Sequence, residues 1–242
     1  TGEGFLMTTA ERKRLLEEIV ATVGKRLIVI AQTGCLDTPT TIELTRHART
    51  AGAAAAGAIA PGFYRYDDAS LARHFRAVAA AVKGFPVLLY NLPSCARNEL
   101  SPSLVLELAQ VENIVGVKDS TGNMPNLSVL LAERPAVFRV INGCDEFSYQ
   151  AYVSGADGTV SSTANVVPEL FLGIYNAVKK GDLKKAWAGQ VKLGRACGLF
   201  QYGRMVAYYK EGLRLRGFDP GYVRPPQREL TAAEKKEFAK GL

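Results

Sequence analysis

Short, nearly unbroken apolar runs alternate along this chain with longer stretches of helical spacing. Thr8-Thr-Ala-Glu11 sets a threonine three residues before a glutamate, the pattern in which the two side chains satisfy free N–H groups at a helix start. The spacing predicts a helix from there to about Val23, with Leu15, Leu16, Ile19 and Val23 on one face and Gly24 as its stop. Arg26 to Gln32 (RLIVIAQ) predicts a buried strand. Thr38-Pro39 opens a helix that ends near Gly52. Ala53 to Pro61 reads as a strand, although its alanines fit a helix equally well. Asp67 and Asp68 begin a helix to about Val82, Pro86 to Asn91 is a strand, and Ser101-Pro102 opens a helix through Leu108. Ile114 to Lys118 is a strand, Asn123 to Leu131 a helix, Val137 to Gly143 a strand and Glu146 to Val153 a helix. Gly158 to Ser162 is a short strand. After Pro168 only helices are expected, over 169–180, 182–202, 203–216 and 231–240.

Repeated strand–helix units with apolar strands imply a parallel sheet covered by helices. A doubly wound sheet and a (β/α)8 TIM barrel both fit that description. Thr33, Tyr64, Tyr90, Asn91, Lys118, Gly143 and Ser161 fall at or just past the C-terminal ends of different strands. A barrel converges such ends on one site, whereas an open sheet gathers ligands mainly at one switch point. No GxGxxG or Walker loop occurs. The expected fold is therefore α/β, a TIM barrel over 1–180 with a C-terminal helical domain over 181–242. Only six strands are expected where a barrel needs eight, so about two strands and a helix are expected to be missing ahead of Thr1.

Composition narrows the partners. Net charge is +7, but Lys and Arg are spread along the chain, with the densest cluster at Arg214, Arg216, Arg224 and Arg228. No basic run is interleaved with aromatics, so a nucleic-acid surface is not expected, and a mild positive field suits small anionic substrates. Cys35, Cys95, Cys144 and Cys197 form no CxxC pair, which fits reduced thiols and a cytoplasmic location. Two histidines give little scope for a metal site. No apolar run reaches membrane-spanning length.

Three stretches can carry chemistry. Lys118 ends an apolar strand, where partial desolvation favours the neutral amine, and a neutral lysine attacks carbonyls. A strand-end lysine pointing to water is the plainer reading of that residue alone. Tyr90 also ends a strand and can donate and accept a proton, or can be a core tyrosine with a satisfied hydroxyl. Thr1-Gly2-Glu3 offers a hydroxyl and free N–H groups suited to a carboxylate, or is simply a turn.

Taken together, YNLP with Tyr90 28 residues before Lys118 of GVKDSTGN, TGE upstream and GADGTVSSTANVVPEL downstream resemble the dihydrodipicolinate synthase / N-acetylneuraminate lyase family. Its members are pyruvate-dependent class I aldolases on a TIM barrel with a C-terminal helical domain. The resemblance spans the chain and implies a missing front of about 45 residues. It implies that Lys118 forms the Schiff base and that Tyr90 shuttles protons. It further implies that Thr1 and the Gly2 amide hold the pyruvate carboxylate, that Val160 lines the pyruvate pocket and that Gly143 faces the site. No metal or cofactor is implied beyond the covalent imine. A homotetramer or dimer is.

Two departures bear on the substrate. Synthase members carry an arginine where this chain has Cys95, and Arg97 lies two residues further on. A thiol cannot bind a second carboxylate as a guanidinium does. The family's relay tyrosine aligns with Phe63, and Tyr64 comes one residue later. The expected activity is thus an aldolase or lyase for a 2-keto-3-deoxy sugar acid or similar hydroxy-oxo acid. The alternatives are dihydrodipicolinate synthesis, a dehydratase using the same imine, and a non-catalytic ligand-binding barrel. Trp187, Tyr208 and Tyr209 read as helical packing or subunit interface, His47 and His74 as helix-surface or helix-end residues, and Asp145-Glu146 as acidic residues at a helix start. Gly221 to Pro226 (GYVRPP) resembles a C-terminal segment of sugar-acid aldolases and reads as structural.

Overall fold

The computed structural model describes residues 1–24 and 26–241, which form two compact units: Met7–Ile141, and Thr1–Leu6 together with Asn142–Leu242.

The first unit alternates strand and helix. Helix α1 (Thr9–Val23) starts at the expected capping box, with Thr8 accepting from the Glu11 N–H and Glu11 reaching back. Strand β1 (Ile30–Gln32) and helix α2 (Thr38–Thr50) follow, then β2 (Ala55–Ile59) and α3 (Asp68–Ala80). Strand β3 (Val87–Asn91) leads into a four-residue helix α4 (Pro93–Ala96) and then α5 (Pro102–Leu108). Strand β4 (Ile114–Asp119), helix α6 (Met124–Glu133) and strand β5 (Arg139–Asn142) complete the series. The alanines of 53–61 lie in a strand, because β2 sits between β1 and β3 and small side chains suit a strand covered on both faces.

Strands β1 to β4 pair in parallel and in chain order. The reversal of order that marks a doubly wound sheet does not occur among them. The ladder has one irregularity. Val87 pairs with Ile114, but Leu88 pairs with Gly116, so β4 holds one extra residue at that point. A Cβ on Gly116 would stand 2.5 Å from the Arg139 carbonyl oxygen, so β5 can approach β4 only because that position is glycine.

Two expectations are corrected in this unit. The apolar run 26–32 is not a buried strand. Only Ile30–Gln32 is extended, and Leu27, Ile28 and Ile30 are 66%, 82% and 46% exposed. Nothing in the described residues covers that face of β1. His74 is not at a surface or a helix end, being buried in the middle of α3 with Nδ1 2.9 Å from the Thr38 hydroxyl. His47 does lie in the last turn of α2, where Nε2 meets Glu17. Thr33 follows the end of β1 as read, and its hydroxyl is buried 2.8 Å from that of Thr45 on α2.

The second unit is mainly helical. A 3-10 turn, Asp145–Phe147, precedes α7 (Ser148–Val153), so Asp145 and Glu146 open a helical segment as read. Strand β6 is only Gly158–Thr159, and the Val160 N–H beyond it donates to the Asn142 carbonyl. Helices α8 (Pro168–Lys179), α9 (Leu183–Leu199), α10 (Val206–Leu215) and α11 (Ala232–Ala239) follow. Phe200, Tyr208, Tyr209 and Phe238 form an aromatic core, with Phe200 stacked on Tyr209 at 4.9 Å. Trp187 is half exposed against Tyr149. The basic cluster is paired with acids: Arg214 with Glu211, Arg216 with Glu169 and Arg228 with Glu234. Among the described residues no helix is long and apolar enough to cross a membrane.

Candidate active site

Tyr90 and Lys118 are direct partners across β3 and β4. The extra residue in β4 makes them so. Had the same residues paired regularly on from Val87–Ile114, with no bulge, Tyr90 would oppose Val117 and Lys118 would project from the other face. With it, the Lys118 Nζ lies over the Tyr90 ring, 4.1 Å from its centroid. A ring face attracts an ammonium, so the lysine is held while its nitrogen stays at a half-buried strand end.

The next pair along the strands, Asn91 and Asp119, is buried and faces the opposite side. The Asn91 amide donates to an Asp119 oxygen at 3.1 Å and to the Leu100 carbonyl at 2.9 Å, and it accepts from the Leu100 N–H at 2.9 Å. The second Asp119 oxygen accepts from the Thr121 N–H at 3.1 Å and from its hydroxyl at 2.7 Å. Strand ends and the loops leaving them are thereby tied one residue beyond the Tyr90–Lys118 pair. Asn91 and Asp119 had no assigned role from sequence. Their place next to two candidate groups, combined with two-residue alternation, was the available signal.

Cys95 lies on the short helix α4, exposed at the loop after Tyr90-Asn91. Arg97 ends that helix with φ +62° and is also exposed. Phe63 and Tyr64 are 68% and 66% exposed and touch edge to face at 4.9 Å. Buried Asn98 joins the two loops. Its amide donates to the Pro61 and Tyr64 carbonyls at 2.8 and 2.7 Å, and its oxygen accepts from the Tyr66 N–H at 2.9 Å. Asn98 is a further residue to which the sequence assigned no role.

In the other unit, the Thr1 hydroxyl is 2.8 Å from that of Ser162, in the segment just past β6. Val160 is half exposed and bonded through its backbone to Asn142. The buried Asn142 side chain donates to the Cys144 carbonyl and accepts the Cys144 N–H, which closes a turn around Gly143. Gly2 is exposed, with no atom within 4 Å of where a Cβ would stand. The Glu3 carboxylate is tied to three groups near the C-terminal end of the chain. Burial alone would raise its pKa, but the Arg224 backbone N–H and the Lys210 ammonium hold it below the ordinary glutamate value. Among the described residues no group of three or more His, Cys, Asp or Glu side chains is arranged to hold a metal ion.

A parallel α/β sheet thus carries a lysine and a tyrosine on adjoining strand ends, two side chains that together can attack a carbonyl and move a proton. The dihydrodipicolinate synthetase family model matches residues 1–242, and the chain belongs to that family of pyruvate-dependent lyases. It is 36% identical over 229 residues to an uncharacterised DapA-like lyase of Halobacterium salinarum, covering 95% of this chain and 75% of the relative. It is 32% identical over 244 residues to the 4-hydroxy-tetrahydrodipicolinate synthase of Methanococcoides burtonii, covering 100% of this chain and 82% of the relative. Among solved structures it superposes with a TM-score of 0.93, at 30% identity, on YagE of E. coli K12, a prophage protein of the dihydrodipicolinic acid synthase family solved with pyruvate. That match covers 99% of this chain and 82% of YagE.

Proposed function

We propose that this chain is a class I aldolase or lyase whose Lys118 forms a Schiff base with a 2-oxo acid. The observation that carries the reading is the Lys118 Nζ poised over the Tyr90 ring on the neighbouring strand. The neutral amine adds to the C2 ketone, and the resulting carbinolamine loses its hydroxyl as water. Tyr90 gives the proton that leaves with that hydroxyl. With a 4-hydroxy-2-oxo acid bound, the C4 hydroxyl surrenders its proton to the tyrosinate and the C3–C4 bond breaks. The electron pair of that bond becomes the enamine, and an aldehyde departs. Protonation at C3 and hydrolysis then return pyruvate and the free lysine. The imine is its own electron sink, so the scheme uses no metal or organic cofactor. Thr1 and the Gly2 amide hold the carboxylate, with Val160 and Gly143 at the same part of the substrate. The parallel, in-order strands β1 to β4 fit part of a (β/α)8 barrel.

Cys95 supports the reading of the substrate class. An exposed thiol at the loop after Tyr90-Asn91 offers no bidentate partner for a second carboxylate, and the flanking Phe63–Tyr64 pair is aromatic. A 2-keto-3-deoxy sugar acid or similar hydroxy-oxo acid fits better than aspartate semialdehyde. Dihydrodipicolinate synthesis is the second reading, favoured by the names of the relatives at 32–33% identity along almost the whole chain.

The test is borohydride reduction in the presence of pyruvate, followed by peptide mass analysis. One reduced pyruvyl group on Lys118, absent from Lys118→Arg, is expected. A chain that takes up no adduct across the pH range is a binding protein and not an aldolase. Aldehyde release from sugar acids, compared with condensation on aspartate semialdehyde, decides between the two substrate readings.

A further inference from the structure

We infer that Glu3 is a positioning residue that holds the Thr1-Gly2 turn in place, and that the segment 221–227 with Lys210 is its anchor. The inference rests on the proposed carboxylate-holding role of that turn. Glu3 is the residue next to the turn, and its backbone is left-handed, at φ +55°. A non-glycine residue keeps that conformation only where its surroundings hold it. Its surroundings are specific. One carboxylate oxygen accepts the Arg224 backbone N–H at 2.7 Å and the Gln227 amide at 3.1 Å. The other oxygen is 3.1 Å from the Lys210 ammonium. The Glu3 and Lys210 side chains are 9% and 16% exposed.

The anchor is closed on itself. Lys210, on α10, also donates to the Tyr222 carbonyl, and the Arg224 guanidinium reaches the Leu6 carbonyl at 3.5 Å. The Val223 N–H is taken by Glu229, and the Gln227 N–H by the Arg224 carbonyl. Each group that touches Glu3 is thus fixed by a second contact, as a support for a binding turn must be. The Thr1 hydroxyl, on the far side of Gly2, has its own stop at Ser162. Gly2 carries no side chain that could brace the turn, so its amide is aimed by what happens at residues 1 and 3.

The consequence is a preference for acids over neutral ketones. If the turn binds only a carboxylate, loosening it weakens capture of pyruvate without touching the amine that attacks the ketone. The experiment compares borohydride trapping of pyruvate with trapping of hydroxyacetone, which has a ketone and no carboxylate. Glu3→Gln keeps the shape and loses the ion pair. Glu3→Gly deletes the carboxylate and accepts the left-handed backbone without strain. Gln227→Ala removes a single donor and guards against variants that fail to fold. The half-saturating pyruvate concentration is expected to rise about ten- to a hundred-fold in the Glu3 variants and less in Gln227→Ala, with hydroxyacetone trapping unchanged. Wild-type adduct formation with equal loss on both ketones, or no loss on either, overturns this inference alone. Absence of an adduct on the wild-type chain overturns the Schiff-base reading and this inference with it.

Discussion

The Lys118 Nζ stands 4.1 Å above the centre of the Tyr90 ring, and the two residues are partners across adjoining strands. The contact uses the ring face, which leaves the phenol hydroxyl available for proton transfer. Tyr90→Phe keeps the face and deletes only the hydroxyl. Imine formation with pyruvate is expected to slow by about a hundred-fold, with the final extent of trapping at Lys118 preserved. Rapid-quench trapping measures this. An unaltered rate would reduce Tyr90 to a packing residue.

Cys95 sits on a four-residue helix, at the position that the family resemblance sets against an arginine of synthase members. Cys95→Arg supplies a guanidinium for a second carboxylate, an interaction worth about 1.5–3 kcal/mol. The ratio of aspartate semialdehyde turnover to sugar-acid cleavage is expected to rise by about tenfold or more. A constant ratio would remove Cys95 from the specificity argument.

Arg97 ends the same helix at φ +62° with its side chain exposed. That conformation costs an L-residue about 1–2 kcal/mol, and glycine is free of the penalty. Arg97→Gly is expected to raise stability by about 1 kcal/mol after the greater backbone entropy of glycine is deducted, whereas Arg97→Ala keeps the Cβ and gains nothing. Urea midpoints of the two variants make the comparison.

His74 ties stability to pH. Burial lowers its pKa from 6.5 to about 4, against a weaker upward pull from Asp37. Its Nε2 is buried without a partner. Between those two values the unfolded chain binds a proton that the folded chain refuses, so stability rises with pH through the window and is lost as pH falls from 6.5 toward 4. The loss amounts to about 3 kcal/mol at the acid end. Urea unfolding at several pH values should give this slope in the wild type. His74→Leu should flatten it, and an identical slope in that variant would place the titration elsewhere.

Most elements were legible because their signals are local. The Thr8–Glu11 box, Pro39 at a helix start and the apolar run before Lys118 each depend on neighbours within a few residues. What was not legible depends on who sits opposite. Leu27 and Ile28 carry the composition of a buried strand, but burial needs a covering neighbour, and no spacing reveals one. His74 on α3 looks like a surface residue until Thr38, far away in the chain, is brought to its ring. Asn91 was legible as a strand-end polar group, yet its bond to Asp119 and the role of Asn98 were not, because amides and carboxylates at strand ends and in loops are ordinarily solvated.

The extra residue near Val115 also bears on how this chain tolerates changes in length. Insertions and deletions are usually absorbed by surface loops, and a strand interior is where they are resisted for reasons of packing. Here the resistance has a second origin. Deleting Val115 would only close the irregularity and leave Lys118 opposite Tyr90, whereas a residue inserted between Gly116 and Lys118, with Leu88 still opposite Gly116, would set Lys118 opposite Asn91 and turn it to the face away from Tyr90. A chain with that insertion is expected to fold and to lose the proposed Tyr90–Lys118 pair, so an indel library should keep solubility and lose activity for insertions there.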